Sequence, residues 1–342
     1  MTSESKRIVA GHHYAHHSES SGYDRLARYL DAEYPDLTSL VVGRKYHGIP
    51  LGPFRRSVTN CVLHASAMRA RLVHLLYPEF HLSSAMRHYR GSIVATVHHP
   101  FEWHFGTLGE VAGSRRRSRL LRQIRQGFRY VDAVIVLTPA EVAAYEAELP
   151  HATVRFIPHG VEDYRRFATD GTQTTGELKI CVVGQTYRDV GLLDAVVARA
   201  KAQGKQWKFH LVGFRRANGA AVAGNSLVQV EPRLSEQEYL SLLGSCDVHL
   251  LPLTHATANN ALLEAHSVGT PTMISSLPTV DPYCLPSTQR FFDADEAWSL
   301  LERAAEDKAW WLQLRKLTRT DSPRFHWQRI ASDVQRLYSD LS

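Results

Sequence analysis

The sequence has no uninterrupted apolar run of about 18 residues, so no bilayer-spanning helix is expected. Its first residues, MTSESKRIVAGHH, are polar and then only briefly apolar, which also argues against a secretory signal. Cysteine is scarce. Cys61, Cys181, Cys246 and Cys284 lie far apart, and none forms a C-x-x-C pair. That speaks against a zinc site or a disulfide framework and for buried thiols in a reducing cytoplasm. Acidic residues are missing from one segment. Between Gly113 and Tyr130 stand seven arginines, Arg115, Arg116, Arg117, Arg119, Arg122, Arg125 and Arg129, with neither Asp nor Glu. The net charge is +6, and taking away those seven positive charges leaves the rest of the chain at −1. The basic character is local.

What is present describes an ordinary globular chain, 44% hydrophobic and 22% charged. At roughly 150 residues per domain, 342 residues imply two domains. Short apolar runs at 7–10, 40–42, 72–76, 93–97, 133–137 and 154–157 read as strands. A second series follows at 178–183, 208–212, 227–230, 248–251 and 272–275. Segments of helical periodicity, such as 22–33, 191–203, 236–243 and 261–268, separate most of them. Strands alternating with helices predict parallel α/β sheets, and two series predict two Rossmann-like, doubly wound domains. Residues 165–177, rich in Thr and Gly, read as the linker. The expected domains are 1–170 and 171–320, with a last helix at 321–342.

In such sheets ligands bind at the carboxyl ends of the strands, so the residues just after each strand are the candidates. After the first strand, Ser20, Ser21 and Gly22 form a small-residue turn before a helix, suited to an anion or simply a βα loop. His12, His13, His16 and His17 invite a metal reading, but no carboxylate–cysteine set completes a ligand group nearby. A polar loop lining a cleft is the alternative, and no metal is assigned. The fourth strand is followed by HHPFEWHF. His98 and His99 stand at the cleft edge, where imidazole orients hydroxyls or moves protons, with His98 preferred. Glu102 and His104 are nearby hydrogen-bonding candidates. Arg188, Arg215 and Arg216 follow strands of the second half and are candidates for phosphate contacts, or exposed turn residues. Asn259 and Asn260 lead into the helix at 261–268. Glu264 is expected in its first turn, able to accept two hydrogen bonds from a ribose diol or merely favoured there by the helix dipole.

The arginine segment is an amphipathic helix by periodicity. Leu120, Leu121, Ile124 and Phe128 share one face, while Arg115, Arg119, Arg122, Arg125 and Arg129 share the other. Such a face attracts an anionic membrane surface. Base-stacking aromatics are missing from it, which argues against nucleic acid.

In order along the chain, SSGYDRLARYL, VATVHHP, VDAVIVLTPAEV, RFIPHGVED, ICVVGQTYRDVG, LSEQEYLSLLGSCDVHLLP, NALLEAHSVGTPTMIS and FHWQRIASDVQRLY resemble a GT-B glycosyltransferase, most similar to glycosyltransferase family 4. The resemblance covers nearly the whole chain. It implies two Rossmann-like domains facing across a cleft, with a nucleotide-sugar donor in the C-terminal domain and an acceptor in the N-terminal one. It implies retention of anomeric configuration, the nucleotide-sugar as substrate with no cofactor, and no catalytic metal. By position, Glu264 matches the ribose-binding carboxylate, His98 the histidine beside the transferred sugar, and Gly22 the small residue at the donor phosphates. His16, His99 and Glu102 fall on the acceptor side, and the final helix crosses back onto the N-terminal domain. The family's second Glu, Arg and Lys fall at Ala256, Gln185 and Val190. Arg188 and Arg215 or Arg216 are the expected replacement cations, and His255 and Asn259 the replacement sugar contacts. A non-catalytic sugar- or nucleotide-binding protein, or a partner subunit of a transferase, is the competing reading. A sugar-nucleotide epimerase is disfavoured because its extra catalytic acids have no place here. The expected location is cytoplasmic, peripheral at the inner membrane face, serving a lipid-linked or polysaccharide precursor.

Overall fold

The computed structural model describes residues 7–12, 23–34, 36–42, 45–46, 49–50, 55–106, 115–169, 176–214, 222, 224–256 and 258–341. The chain divides into two compact units, residues 1–160 with 327–342, and residues 161–326.

The first unit is built on a six-stranded parallel sheet. Its strands are β1 (Arg7–His12), β2 (Leu37–Val42), β5 (Leu72–Leu75), β6 (Ser92–Val97), β7 (Ala133–Val136) and β8 (Thr153–Phe156), in the order β2-β1-β5-β6-β7-β8. A two-stranded hairpin, β3 (Lys45–Tyr46) and β4 (Ile49–Pro50), stands apart from it. The helices are α1 (Asp24–Glu33), α2 (Arg55–Ala67), α3 (Pro78–His81), α4 (Phe101–His104), α5 (Arg115–Phe128) and α6 (Val142–Glu148). β5 and β7 are buried along their whole length, so neither alternates; β7 is a continuous apolar run, and β5 is one apart from His74. Leu121, Ile124 and Phe128 of α5 are buried, and Ile124 and Phe128 join the core with Val73, Leu75, Val134 and Val136.

The second unit repeats the plan with β9 (Glu177–Val183), β10 (Gln206–Val212), β11 (Val228–Val230), β12 (Val248–Leu251), β13 (Thr272–Ser275) and β14 (Gln289–Phe291). All pairings are parallel, and the order is β11-β10-β9-β12-β13-β14. Counted within the unit this is 3-2-1-4-5-6, the dinucleotide-binding order, with its switch point between β9 and β12. α7 (Val190–Ala202), α8 (Glu236–Ser245), α9 (Asn260–Ser267), α10 (Ala294–Glu306) and α11 (Lys308–Asp321) flank the sheet. Side chains of a strand alternate between faces. Ile180 and Val182 enter one core with Phe209, Leu250, Trp298 and Trp311, while Cys181 enters another with Leu262, Ile274 and Phe325. Both faces of the sheet are therefore covered.

The last helix, α12 (Trp327–Asp340), belongs to the first unit, where it packs against α1. Tyr338 on α12 hydrogen-bonds His74 Nδ1 at 2.6 Å, and Thr96 bonds His74 Nε2 at 2.7 Å. Burial pushes His74 down to about 3, so it is a neutral core residue. Gly160 lies under the Trp327 ring, where a Cβ would come within 2.3 Å of ring carbon. The glycine of IPHGVED and the tryptophan of FHWQRI thus meet, two sequence segments far apart in the chain.

Candidate functional site

In the first unit the polar residues gather where β5 and β6 end. His98 directly follows β6. Its ring stacks on Tyr77 at 4.7 Å and meets the ring of Tyr23 edge-on at 5.1 Å. Nε2 lies 2.7 Å from Leu76 O. A carbonyl only accepts, so Nε2 carries the hydrogen, and in the neutral ring Nδ1 is then the acceptor. Tyr23 is fully buried, contacts Trp327 and His159, and its backbone N–H donates to Tyr77 Oη at 3.1 Å. His98 is thereby held in one orientation by an aromatic frame.

His99 stacks on Trp103 at 4.3 Å, and its Nε2 lies 4.0 Å from Oε1 of Glu79. The Glu79 side chain is 8% exposed, whereas that of His99 is 41% exposed. Glu102 is exposed on α4. His104 does not join them. It is fully buried, its Nδ1 pairs with Tyr145 Oη at 2.8 Å, and burial, helped by His99, His98 and Arg125, pushes it down to about 3. It is a neutral core histidine and not a ligand contact. His16 and Gly22, like the side chains of His12, His13 and His17, lie outside the described residues.

In the second unit the candidates gather at the β9–β12 switch point and on α9. Asn259 is the N-cap of α9, its Oδ1 accepting the Leu262 N–H at 3.2 Å. The helix therefore starts at Asn260, and Glu264 stands one turn in, beyond the first turn where it was expected. The dipole explanation for a carboxylate weakens at that depth, because the dipole acts within the first turn. Glu264 Oε2 accepts the Tyr239 hydroxyl of α8 at 2.6 Å. Burial pushes the Glu264 carboxyl up to about 7, opposed by the Tyr239 bond and reinforced by Glu236. Tyr164 lies beside the same group and bonds Glu236 at 3.2 Å. A half-buried carboxylate with one fixed donor has lone pairs left for a diol.

Arg188 lies in the turn between β9 and α7. Its Nε and Nη2 donate to Val183 O at 2.9 and 2.5 Å, and its Nη1 to Thr186 O at 2.9 Å. Burial pushes it down to about 10. The guanidinium thus caps the carboxyl end of β9. Arg215 and Arg216 lie outside the described residues. His255 is exposed and touches the Tyr187 ring edge-on at 5.3 Å.

Among the described arginines of the α5 face, Arg125 differs from the helical-wheel expectation. Arg122 and Arg129 are exposed, but Arg125 is half-buried and donates to His104 O at 2.6 Å and Gly106 O at 3.0 Å. The carbonyl of His104, the last residue of the short helix α4, lacks an intrahelical donor, and Arg125 supplies one there and to Gly106 just beyond the helix. The side chains of Arg115 and Arg119 lie outside the described residues. Among the described residues, no helix is long and apolar enough to cross a membrane, and no group of three His, Cys, Asp or Glu could hold a metal ion.

Sequence reasoning missed Tyr239, Glu79, Trp103 and the Tyr77–Tyr23 frame. The available signal was that a buried tyrosine hydroxyl wants a partner, without saying which.

No protein-family model and no curated protein matches the sequence. Solved structures do. Sucrose-phosphate synthase from Thermosynechococcus elongatus superposes with a TM-score of 0.67 at 17% identity, covering 98% of this chain and 99% of that one. HepE of Anabaena in complex with UDP-glucose gives 0.70 at 13% identity, over 98% and 100%. A glycosyltransferase from Rickettsia africae gives 0.63 at 11% identity, over 99% of each chain. The likeness spans both units end to end, and the chain shares the GT-B fold with these structures.

Proposed function

We propose that the protein transfers a sugar from a nucleotide-sugar donor to an acceptor hydroxyl, with retention of configuration. The observation that carries this reading is the Glu264 carboxyl on α9, half-buried and oriented by Tyr239 in the unit whose strand order is that of nucleotide-binding folds. Glu264 would accept the ribose hydroxyls, with Asn259 and Asn260 at the same helix start. Arg188, with Arg215, would face the diphosphate. The acceptor would lie against the first unit, near His98, His99, Glu102 and His16. In the transfer, the bond between the anomeric carbon and the phosphate oxygen breaks and a bond to the acceptor oxygen forms on the same face. The acceptor proton passes to the leaving phosphate, so no nucleophilic side chain is required. His98 would orient the reacting sugar. HepE binds UDP-glucose, which makes UDP-sugars the first donors to try.

A test is calorimetric titration of wild type and Glu264→Ala with UDP-, GDP-, ADP- and dTDP-sugars, together with assay of free nucleotide release. Glu264→Ala is expected to weaken binding about tenfold or more, since a hydrogen bond to a charged group contributes about 1.5–3 kcal/mol. Unchanged affinity in a folded variant would remove the assignment. One observation favours a second reading, a protein that binds a sugar or nucleotide without turnover. The Arg188 guanidinium is already occupied by the carbonyls of Val183 and Thr186, leaving a diphosphate with less countercharge. Binding without nucleotide release would support that reading.

A further inference from the structure

Tyr187 is the one non-glycine residue with positive φ among the described residues, at 56°. A bulky side chain is disfavoured in that region, and such strain persists only where the surroundings impose it. Here they do. The Tyr187 carbonyl accepts both the backbone N–H of Thr254, at 2.9 Å, and its hydroxyl, at 3.2 Å. The next residue, Arg188, bridges to Leu253 and binds the carbonyls of Thr186 and Val183 through its guanidinium. The ends of β9 and β12 are thus tied together, with Tyr187 at the crest of the tie.

The ring gains little burial from this arrangement. Tyr187 is 60% exposed, and its ring meets the edge of His255 at 5.3 Å with 74° between the planes. A strained backbone that holds an aromatic face toward solvent is not explained by core packing. The position is informative. The β9–α7 turn is the first strand-to-helix turn of the unit, beside the switch point, where folds of this order hold the phosphates of a nucleotide. An aromatic face set there is flat and apolar, and it matches the C–H face of a sugar ring. The His255 imidazole beside it can hydrogen-bond a hydroxyl at that ring's rim.

We propose that Tyr187, with His255 at its edge, is a preset platform for the sugar that the donor carries on its diphosphate. This rests on the donor reading above. Pre-setting the ring in the turn means that little side-chain or backbone ordering remains for binding.

The experiment uses the full chain and three variants, Tyr187→Phe, Tyr187→Ala and Tyr187→Gly. Each is titrated calorimetrically with UDP, GDP, ADP and dTDP and with their glucose conjugates, and each is melted. Tyr187→Phe should keep wild-type affinity. Tyr187→Ala and Tyr187→Gly should weaken the glucose conjugate about tenfold, a typical loss for one stacking contact, and leave the bare nucleotide within about twofold. Glycine tolerates positive φ, so Tyr187→Gly should melt above Tyr187→Ala by about 2–4 °C. That separates loss of the platform from loss of the fold. Equal weakening of nucleotide and conjugate would place the ring against the base and overturn the proposal. Unchanged affinity for the conjugate in Tyr187→Ala would overturn it as well. If the wild type binds none of these ligands, the donor reading fails and takes this inference with it. If the wild type binds and the variants bind equally well, this inference alone fails.

Discussion

Glu264 is protonated more readily in the folded chain than an ordinary glutamate, because burial raises its pKa from 4.5 to about 7. A raised acid pKa means that the folded state holds the proton more tightly than the unfolded state. Its stabilising effect is complete below about pH 4.5 and is lost as pH rises through about 7. Glu264→Gln keeps an oxygen for the Tyr239 hydroxyl but does not titrate. Urea unfolding at pH 5 and pH 8 should therefore show wild type losing stability relative to the variant, by on the order of 3 kcal/mol at most. Parallel stabilities at the two pH values would contradict the raised pKa. His98 makes a different demand. Its Nε2 is committed to Leu76 O and its ring is clamped by Tyr77 and Tyr23. If it acts on the sugar, His98→Ala should lower kcat about tenfold, the worth of one neutral hydrogen bond at about 0.5–1.5 kcal/mol, with nucleotide affinity nearly intact. A large affinity loss with normal turnover at saturation would assign it to the nucleotide instead.

At the scale of elements, α8 shows what a helix end requires. Arg315 of α11 is 2% exposed and donates to Gly244 O at 2.7 Å and Cys246 O at 3.2 Å, with Thr169 Oγ1 also at 3.2 Å. It satisfies carbonyls that the end of α8 leaves without intrahelical donors. Arg315→Ala should destabilise the second unit by about 2–4 kcal/mol, and Arg315→Lys should recover part of that. A chemical-denaturation midpoint unmoved by Arg315→Ala would refute this role. Neither this cap nor that of Arg125 was legible in the sequence, because each joins a side chain to a carbonyl on another element. Strands were legible where both faces are buried, since β7 reads as an unbroken apolar run and β5 and β12 as apolar runs broken only by the buried His74 and His249. β14 was missed, being three residues long with an exposed arginine at its centre. The β3–β4 hairpin was missed for its two-residue strands.

For the molecule as a whole, the charge distribution and the position of the candidate residues were legible, while their pairing was not. Glu264 stood out from its motif, but its partner Tyr239 lies 25 residues earlier, across a strand, and no local period links the two. The arginine helix was legible as an element, and its apolar side is indeed buried, with Leu121, Ile124 and Phe128 in the first unit. What that helix serves belongs to the whole chain, whose positive charge is concentrated there. If the acceptor is carried on a lipid, the protein must come to the membrane. A basic helix on the first unit, where the acceptor is proposed to lie, would hold it there without burying apolar surface. Arg122 and Arg129 are exposed and available for this, whereas Arg125 is tied to α4. Such attraction contributes about 1 kcal/mol per basic residue near the surface and is screened within about 8 Å at physiological salt. The protein should therefore sediment with anionic vesicles at low salt, release at high salt, and ignore neutral vesicles. The double variant Arg122→Glu with Arg129→Glu should bind at least tenfold more weakly, because two attractions become two repulsions. Arg125→Gln should instead lower stability, with less effect on vesicle binding. Absence of binding to anionic vesicles at low salt would remove the membrane role and make a soluble acceptor the better choice.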